Sequence, residues 1–204
     1  MSKSELSSLH YSNSRINVIQ SYDGTIASAK RASAVLSGSY KMMHFNYDGE
    51  ETYIRLRLHW QWSKVPIFTY HDIVGCSISE GMYYDPETSY HNVYYYDKFG
   101  RSTRTVRFPV KPNGLTSYVS SIVNMNITPH SDLEQEYAMQ GFAYFGWTKI
   151  GDIPEVGGFI KYGHSYLTVM PSISVDTGGV SFTLQPANKI KEEYSHYFHE
   201  KKIY

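Results

Sequence analysis

Cysteine is almost absent: Cys76 is the only one in 204 residues, so no intramolecular disulfide can form. No run approaches the roughly 20 apolar residues that a membrane-crossing helix needs, which argues against membrane insertion. The stretch from Met1 to Ser14 is polar and serine-rich with no apolar core, so it does not read as a signal peptide. Charge of one sign is also missing, with 19 basic against 19 acidic residues and no basic run longer than a pair. Nucleic-acid binders normally concentrate a basic excess in a stripe or tail, so nucleic acid is not an expected partner. Neither standard glycine-rich phosphate loop occurs, and no cofactor is expected.

Helix formers are scarce as well. Leu and Ala together number 16, against 28 for Ile and Val, which reverses the balance of a helical protein. Tyrosine supplies 20 residues, and its ring suits a half-buried pleated surface with the hydroxyl left wet. The composition points to strands.

The clearest pattern is Tyr53 to Trp62. Ile54, Leu56, Leu58, Trp60 and Trp62 fall on one side, and Arg55, Arg57, His59 and Gln61 on the other. That period of two is a strand with one buried face; on a helix the five apolar residues would spread around the axis. Asp48-Gly49 before it is a two-residue hairpin signal, which makes Ser39 to Phe45 the partner strand. A second hairpin joins Val93–Tyr96 to Thr103–Val110 through Asp97-Lys98-Phe99-Gly100. Lys111-Pro112-Asn113-Gly114 is a further turn, followed by alternation at Val119, Val123, Met125 and Ile127. Two strand signals between Ser165 and Val175 are split by Pro171, and Asp176 to Gly179 turns into a strand at Val180–Leu184. Strands at intervals near ten residues predict a mainly β fold: one antiparallel β-sandwich or barrel-like sandwich spanning 15–204, after a flexible or extended lead-in over 1–14.

Three segments are read differently. Thr25 to Leu36, with four alanines, fits a short helix or a strand equally. Ser131-Asp132-Leu133-Glu134 has capping-box spacing and predicts a short helix ending by Gly141, before a buried aromatic strand at Phe142–Trp147. At the C-terminus, Ile190, Tyr194, Tyr197 and Phe198 recur at i, i+4, i+7 and i+8, which predicts an amphipathic helix over about 187–200.

Chemistry-bearing residues are weighed against plainer roles. His196 and His199, one turn after Glu192 and Glu193 on that helix, would offer zinc an incomplete ligand set; a solvated polar face is the simpler reading, and no metal is expected. Cys76 follows His71 by five residues, but its apolar neighbours mark it as a small buried side chain. Gly75 to Gly81 lacks the spacing of a serine-hydrolase elbow. Asp48, Glu50, Glu51, Asp85 and Glu87 sit at turns, where carboxylates usually accept local backbone N–H groups rather than bind calcium. Asn126-Ile127-Thr128 is a glycosylation sequon weakened by the proline after it.

What remains is aromatic density. Tyr83, Tyr84, Tyr90, Tyr94, Tyr95 and Tyr96 fall within fourteen residues, with His91 and Asn92 between them. Rigid amphipathic rings beside Asn and His lose little entropy on binding and favour protein or sugar contact. These eight residues are the candidate binding set. The expected function is that of a non-catalytic surface or structural protein acting on a protein partner or on copies of itself. A carbohydrate- or wall-binding module is the alternative, and a hydrolase with a dispersed site a third. The Tyr-, Ser- and Asn-rich, Leu-poor composition favours a secreted or cell-surface location over an intracellular or virion-associated one.

Overall fold

The computed structural model describes residues 3–8, 13–20, 34–66, 69–79, 81–97, 99–113, 115–127, 135–165, 170–175, 181–187 and 189–202. Two short helices, α1 (Lys3–Ser8) and α2 (Asn13–Gln20), lie in and just beyond the N-terminal stretch read as a lead-in. Among the described residues everything else regular is strand, so the protein is mainly β with several antiparallel sheets.

The largest sheet runs β1 (Leu36–Tyr47), β2 (Glu51–Trp62), β10 (Glu136–Ile150), β5 (Tyr90–Tyr96) and β6 (Ser102–Pro109). The short strands β4 (Tyr83–Tyr84) and β9 (Asn126–Ile127) extend the long β10. A second sheet runs β14 (Ile190–Lys201), β11 (Glu155–Ser165), β3 (His71–Ile78), β8 (Leu115–Asn124) and β7 (Lys111–Asn113). The hairpin β12 (Ser172–Val175) and β13 (Phe182–Gln185) forms a small third sheet.

Both hairpins read from the sequence are present in the expected places. β1 and β2 pair from Leu36↔Trp62 to Tyr47↔Thr52, and Gly49 closes the turn at φ 112°, where a side chain would be strained. The backbone N–H groups of Glu51 and Glu50 donate to Asp48 Oδ1 at 2.9 Å and hold its carboxyl below the usual carboxylate range. At the β5–β6 turn, Asp97 Oδ1 likewise accepts the N–H groups of Phe99 and Arg101 at 2.9 Å. Asp85 caps Glu87 N and the Thr88 hydroxyl in the same manner.

The main core cluster draws residues from both large sheets. Leu56, Leu58, Trp60 and Trp62 of β2 share one apolar cluster with Val74 and Cys76 of β3, Ile160 and Tyr162 of β11, and Phe198 of β14. Burying each such side chain contributes about 1.5–3 kcal/mol, so the alternation of β2 alone commits one face to this interior. β3 is buried on both faces, because the hairpin β12–β13 covers its far side: Ile73 packs with Ile173, Phe182 and Leu184. Cys76 is fully buried, and that burial pushes its thiol up.

One expected helix is a strand instead, and the described end of another is strand as well. The C-terminal segment forms β14, paired with β11 from Glu155↔Lys201 to Ser165↔Ile190, with a bulge where Tyr162 gives way to Gly163. The bulge switches side-chain parity, so Ile190 packs with Phe182 and Leu184 while Tyr194 and Phe198 join the main core. Tyr197 meets Phe159 on the opposite face from Phe198. A strand that changes face once mimics the i, i+4, i+7, i+8 spacing of one helical stripe. His196 and His199, three apart, fall on opposite faces: His196 stacks on Tyr40, and His199 Nε2 lies 3.4 Å from Glu155. Likewise Glu136 to Gly141 is the first part of β10, whereas Ser131 to Glu134, the capping box, lies outside the described residues. Also outside are most of Thr25 to Leu36, the Asp176–Gly179 turn and Thr128 of the sequon.

Candidate functional site

Six of the eight candidate residues lie on β5, where they divide by parity, and Tyr83 and Tyr84 form β4. Tyr90, Asn92, Tyr94 and Tyr96 point away from the core, while His91, Val93 and Tyr95 are buried. The alternation follows directly from the pleat. Tyr95 donates its hydroxyl to the Asn124 carbonyl at 2.5 Å, and burial raises its pKa. His91 accepts from Trp60 and faces Ser121 across the core. Tyr84 donates to the Val110 carbonyl, and Tyr83 is the most exposed of the set at 61%.

The outward tyrosines do not stand alone. Register aligns Tyr90 with Tyr144 and Asn92 with Phe142 on β10, and these with Arg57 and His59 on β2. Arg107 on β6 lies opposite Asn92, and Lys41 on β1 opposite Arg57. The result is one sheet face on which cations alternate with rings. Arg57 lies over Phe142 at 5.4 Å, Arg55 over Tyr144 at 4.8 Å, and Arg107 over Tyr90 at 4.0 Å. His59 stacks on Phe142 with 4.5 Å between centroids, and Tyr90 meets Tyr144 at 4.7 Å. Arg55 also donates from Nη2 to the Tyr90 hydroxyl at 3.0 Å.

The sequence pattern assigned Arg55, Arg57 and His59 to the polar side of β2 without giving them a role. Their partners come from β10 and β5, the nearest of them 35 residues away, so no local signal could have joined them to the tyrosines. The electrostatics of the face are lopsided. Among the described residues, the outward positions of its five main strands carry one carboxylate, Glu51. It begins β2, six residues and about 20 Å of extended chain from Arg57. Beyond the strand ladder, the side chains of Arg57, Arg107 and Lys41 make no ion pair or hydrogen bond with a described residue. The Nε atoms of Arg55 and Arg57 and the Nε2 of His59 are buried and unbonded. Partial burial, reinforced by the Arg57 charge, lowers the His59 pKa, so its ring is neutral at pH 7.

Shallow depressions flank the face. One of about 490 Å³ is lined by Gln61, Lys64, Tyr96, Asp97 and Gln140, and one of about 390 Å³ by His44, Asp48, Tyr53, Arg55, Asp85 and Trp147, so carboxylates stand at the rim beside Arg55.

A second polar cluster lies inside the protein. Asp72, fully buried, accepts the Tyr162 hydroxyl at 2.5 Å, His164 Nδ1 at 2.8 Å and Ser165 N at 3.3 Å. Trp62 Nε1 donates to the Tyr162 oxygen at 3.3 Å, and burial followed by the Asp72 charge pushes the Tyr162 pKa up. The His–Asp pair resembles an acid–base dyad in composition, but Asp72, His164 and Ser165 are each at least 97% buried. Cys76 lies in the apolar cluster and bonds weakly to the Ser77 carbonyl at 3.6 Å. Among the described residues, no group of three or more His, Cys, Asp or Glu side chains converges as a metal site would require.

No protein-family model and no curated protein matches this chain. Solved structures resemble it only distantly. A DUF4466 family protein from Parabacteroides merdae ATCC 43184 is 14% identical over 82% of this chain, with a TM-score of 0.29, and the match spans 44% of that protein, under half its length. AvmM, which catalyses macrocyclization in alchivemycin A biosynthesis, is 9% identical over 82% of this chain and 89% of its own, with a TM-score of 0.30. A pore forming protein is 9% identical over 81% of this chain and 90% of its own, with a TM-score of 0.28. Likenesses at these scores identify neither a family nor a function.

Proposed function

We propose that this chain is a non-catalytic β protein, its two large sheets stacked as a sandwich, that acts by holding another protein against the outward face of its largest sheet. The observation that carries this reading is the row of rings under guanidinium groups: Phe142 under Arg57, Tyr144 under Arg55, and Tyr90 under Arg107. Tyr and Arg are enriched where interfaces concentrate binding energy, because each offers a large, stiff contact with a polar edge. The rings here are already stacked on one another and on cations, so little side-chain freedom remains to be lost on docking. The same stacking disfavours the carbohydrate alternative, since a sugar needs an open ring face to lie on. The composition supports a secreted or cell-surface setting for this contact.

Photo-crosslinking tests it. A benzophenone side chain at position 94, on the face, is expected to give a discrete heavier product in cells making the protein. The same group at position 201, on the edge strand β14, gives none. Equal products from both positions, or none from position 94, would exclude the face as the contact.

A further inference from the structure

We infer that the partner presents carboxylates: the face is a receptor for an acidic protein segment. This rests on the contact reading above and names its chemistry. Three features support it. First, the cations are unanswered: Arg57, Arg107 and Lys41 have no carboxylate partner among the described residues, and the nearest outward acid begins the strand. Arginines on a sheet otherwise find a cross-strand acid, as Arg104 does with Glu136 on the other side of this same sheet.

Second, the rings hold the forks in place. With the Nε of Arg57 buried, the Nη groups of Arg57 and the guanidinium of Arg107, which no described residue accepts, are the donors open to a carboxylate. Because the ring faces of Phe142, Tyr90 and Tyr144 are covered by cations and by each other, they offer no platform for nucleic-acid bases. The face is therefore built to read oxyanions at guanidinium edges.

Third, the chain as a whole is neutral. An extended polyanion would gain at this face and lose against the acidic residues spread over the rest of the chain, whereas a short acidic segment meets only the local field. Arg55 and Arg57 repeat at two-residue spacing along β2, about 7 Å, the spacing of alternate side chains in an extended peptide. An extended segment with acids at every second position would match it.

The test is calorimetric titration of the full chain with a ten-residue glutamate peptide, with a ten-residue Gly-Ser peptide as blank. Glutamate peptide binding is expected, weakened about ten-fold or more in the double variant Arg57→Gln, Arg107→Gln and by a rise in salt from about 50 to 500 mM. Lys201→Gln, remote from the face, should leave it unchanged, and circular dichroism confirms that each variant is folded. Failure of the glutamate peptide to bind would overturn the acidic-segment inference alone, because the position-94 crosslink reports contact whatever the partner's charge. Binding of a sulfated glycan or of oligo-thymidine through the same arginines, with none of the glutamate peptide, would overturn it in favour of another polyanion.

Discussion

Trp60 donates its indole N–H to Nε2 of His91 over 2.8 Å, and this bond fixes the tautomer of a fully buried imidazole. With Nε2 accepting, the proton of the neutral ring sits on Nδ1, which faces the Ser121 hydroxyl at 3.2 Å. Trp60 belongs to β2 and His91 to β5, whereas Ser121 belongs to β8, so the chain of bonds crosses from one large sheet to the other. It is a polar tie through an apolar interior.

That tie makes stability pH-dependent. Burial pushes the His91 pKa from 6.5 down to about 3, so the folded protein keeps the ring neutral while the unfolded chain takes up a proton below 6.5. Acid therefore favours unfolding: the contribution is complete above 6.5 and is lost as pH falls toward 3. The slope is about 1.4 kcal/mol per pH unit inside that window. Urea titrations at several pH values check it, comparing the wild type with His91→Gln; the carboxylates titrate in both, so the difference isolates the imidazole. Parallel pH profiles would contradict a buried neutral His91.

Asp72 makes a second prediction. Its carboxylate gathers Tyr162, His164 and the Ser165 amide in a fully buried site. Asp72→Ala strands those donors, and the expected cost is about 3 kcal/mol or more in a urea titration. A loss under about 1 kcal/mol would mean that water reaches the cluster.

Gly141 is required by the same Trp60. The two residues are register partners on β10 and β2, and a Cβ on Gly141 would approach the Trp60 Nε1 to 2.5 Å. Gly141→Ala is expected to cost about 1–3 kcal/mol through displacement of the indole. Tryptophan emission should shift in the same variant as Trp60 loses its His91 acceptor.

Cys76 should be chemically silent in the native state. Its thiol is enclosed by the main core and held protonated by burial. Ellman's reagent is expected to titrate no thiol in native protein and one per chain in urea. Rapid native reaction would contradict the packing of β3.

The legibility of this fold varied with the distance over which residues cooperate. Period-two stretches such as Tyr53–Trp62, and turns closed by Asp48-Gly49, declare themselves locally, because the pleat and a φ near 112° leave few alternatives. β14 does not, since its parity reverses at a bulge set by pairing with β11. The tyrosine-rich strand was recognisable by composition, and the outward placement of Tyr90, Asn92, Tyr94 and Tyr96 follows from alternation alone. The inward placement of His91 and Tyr95 also follows, once the neighbouring sheet supplies Ser121 and Asn124 as partners. The arginines were legible only as a polar face. Their union with Phe142 and Tyr144 depends on β10 lying between β2 and β5, a non-local choice of strand order.

The most direct test of the contact face combines the position-94 crosslinker with the charge reversal Arg57→Glu. Arg57 is partly exposed and its ring contact is worth about 0.5–1 kcal/mol, so the fold should persist with nearly unchanged thermal stability. The predicted result is loss of the crosslinked product from a protein that still melts cooperatively at a similar temperature. Undiminished crosslinking from the folded, charge-reversed protein would contradict a contact carried by the arginine–aromatic face.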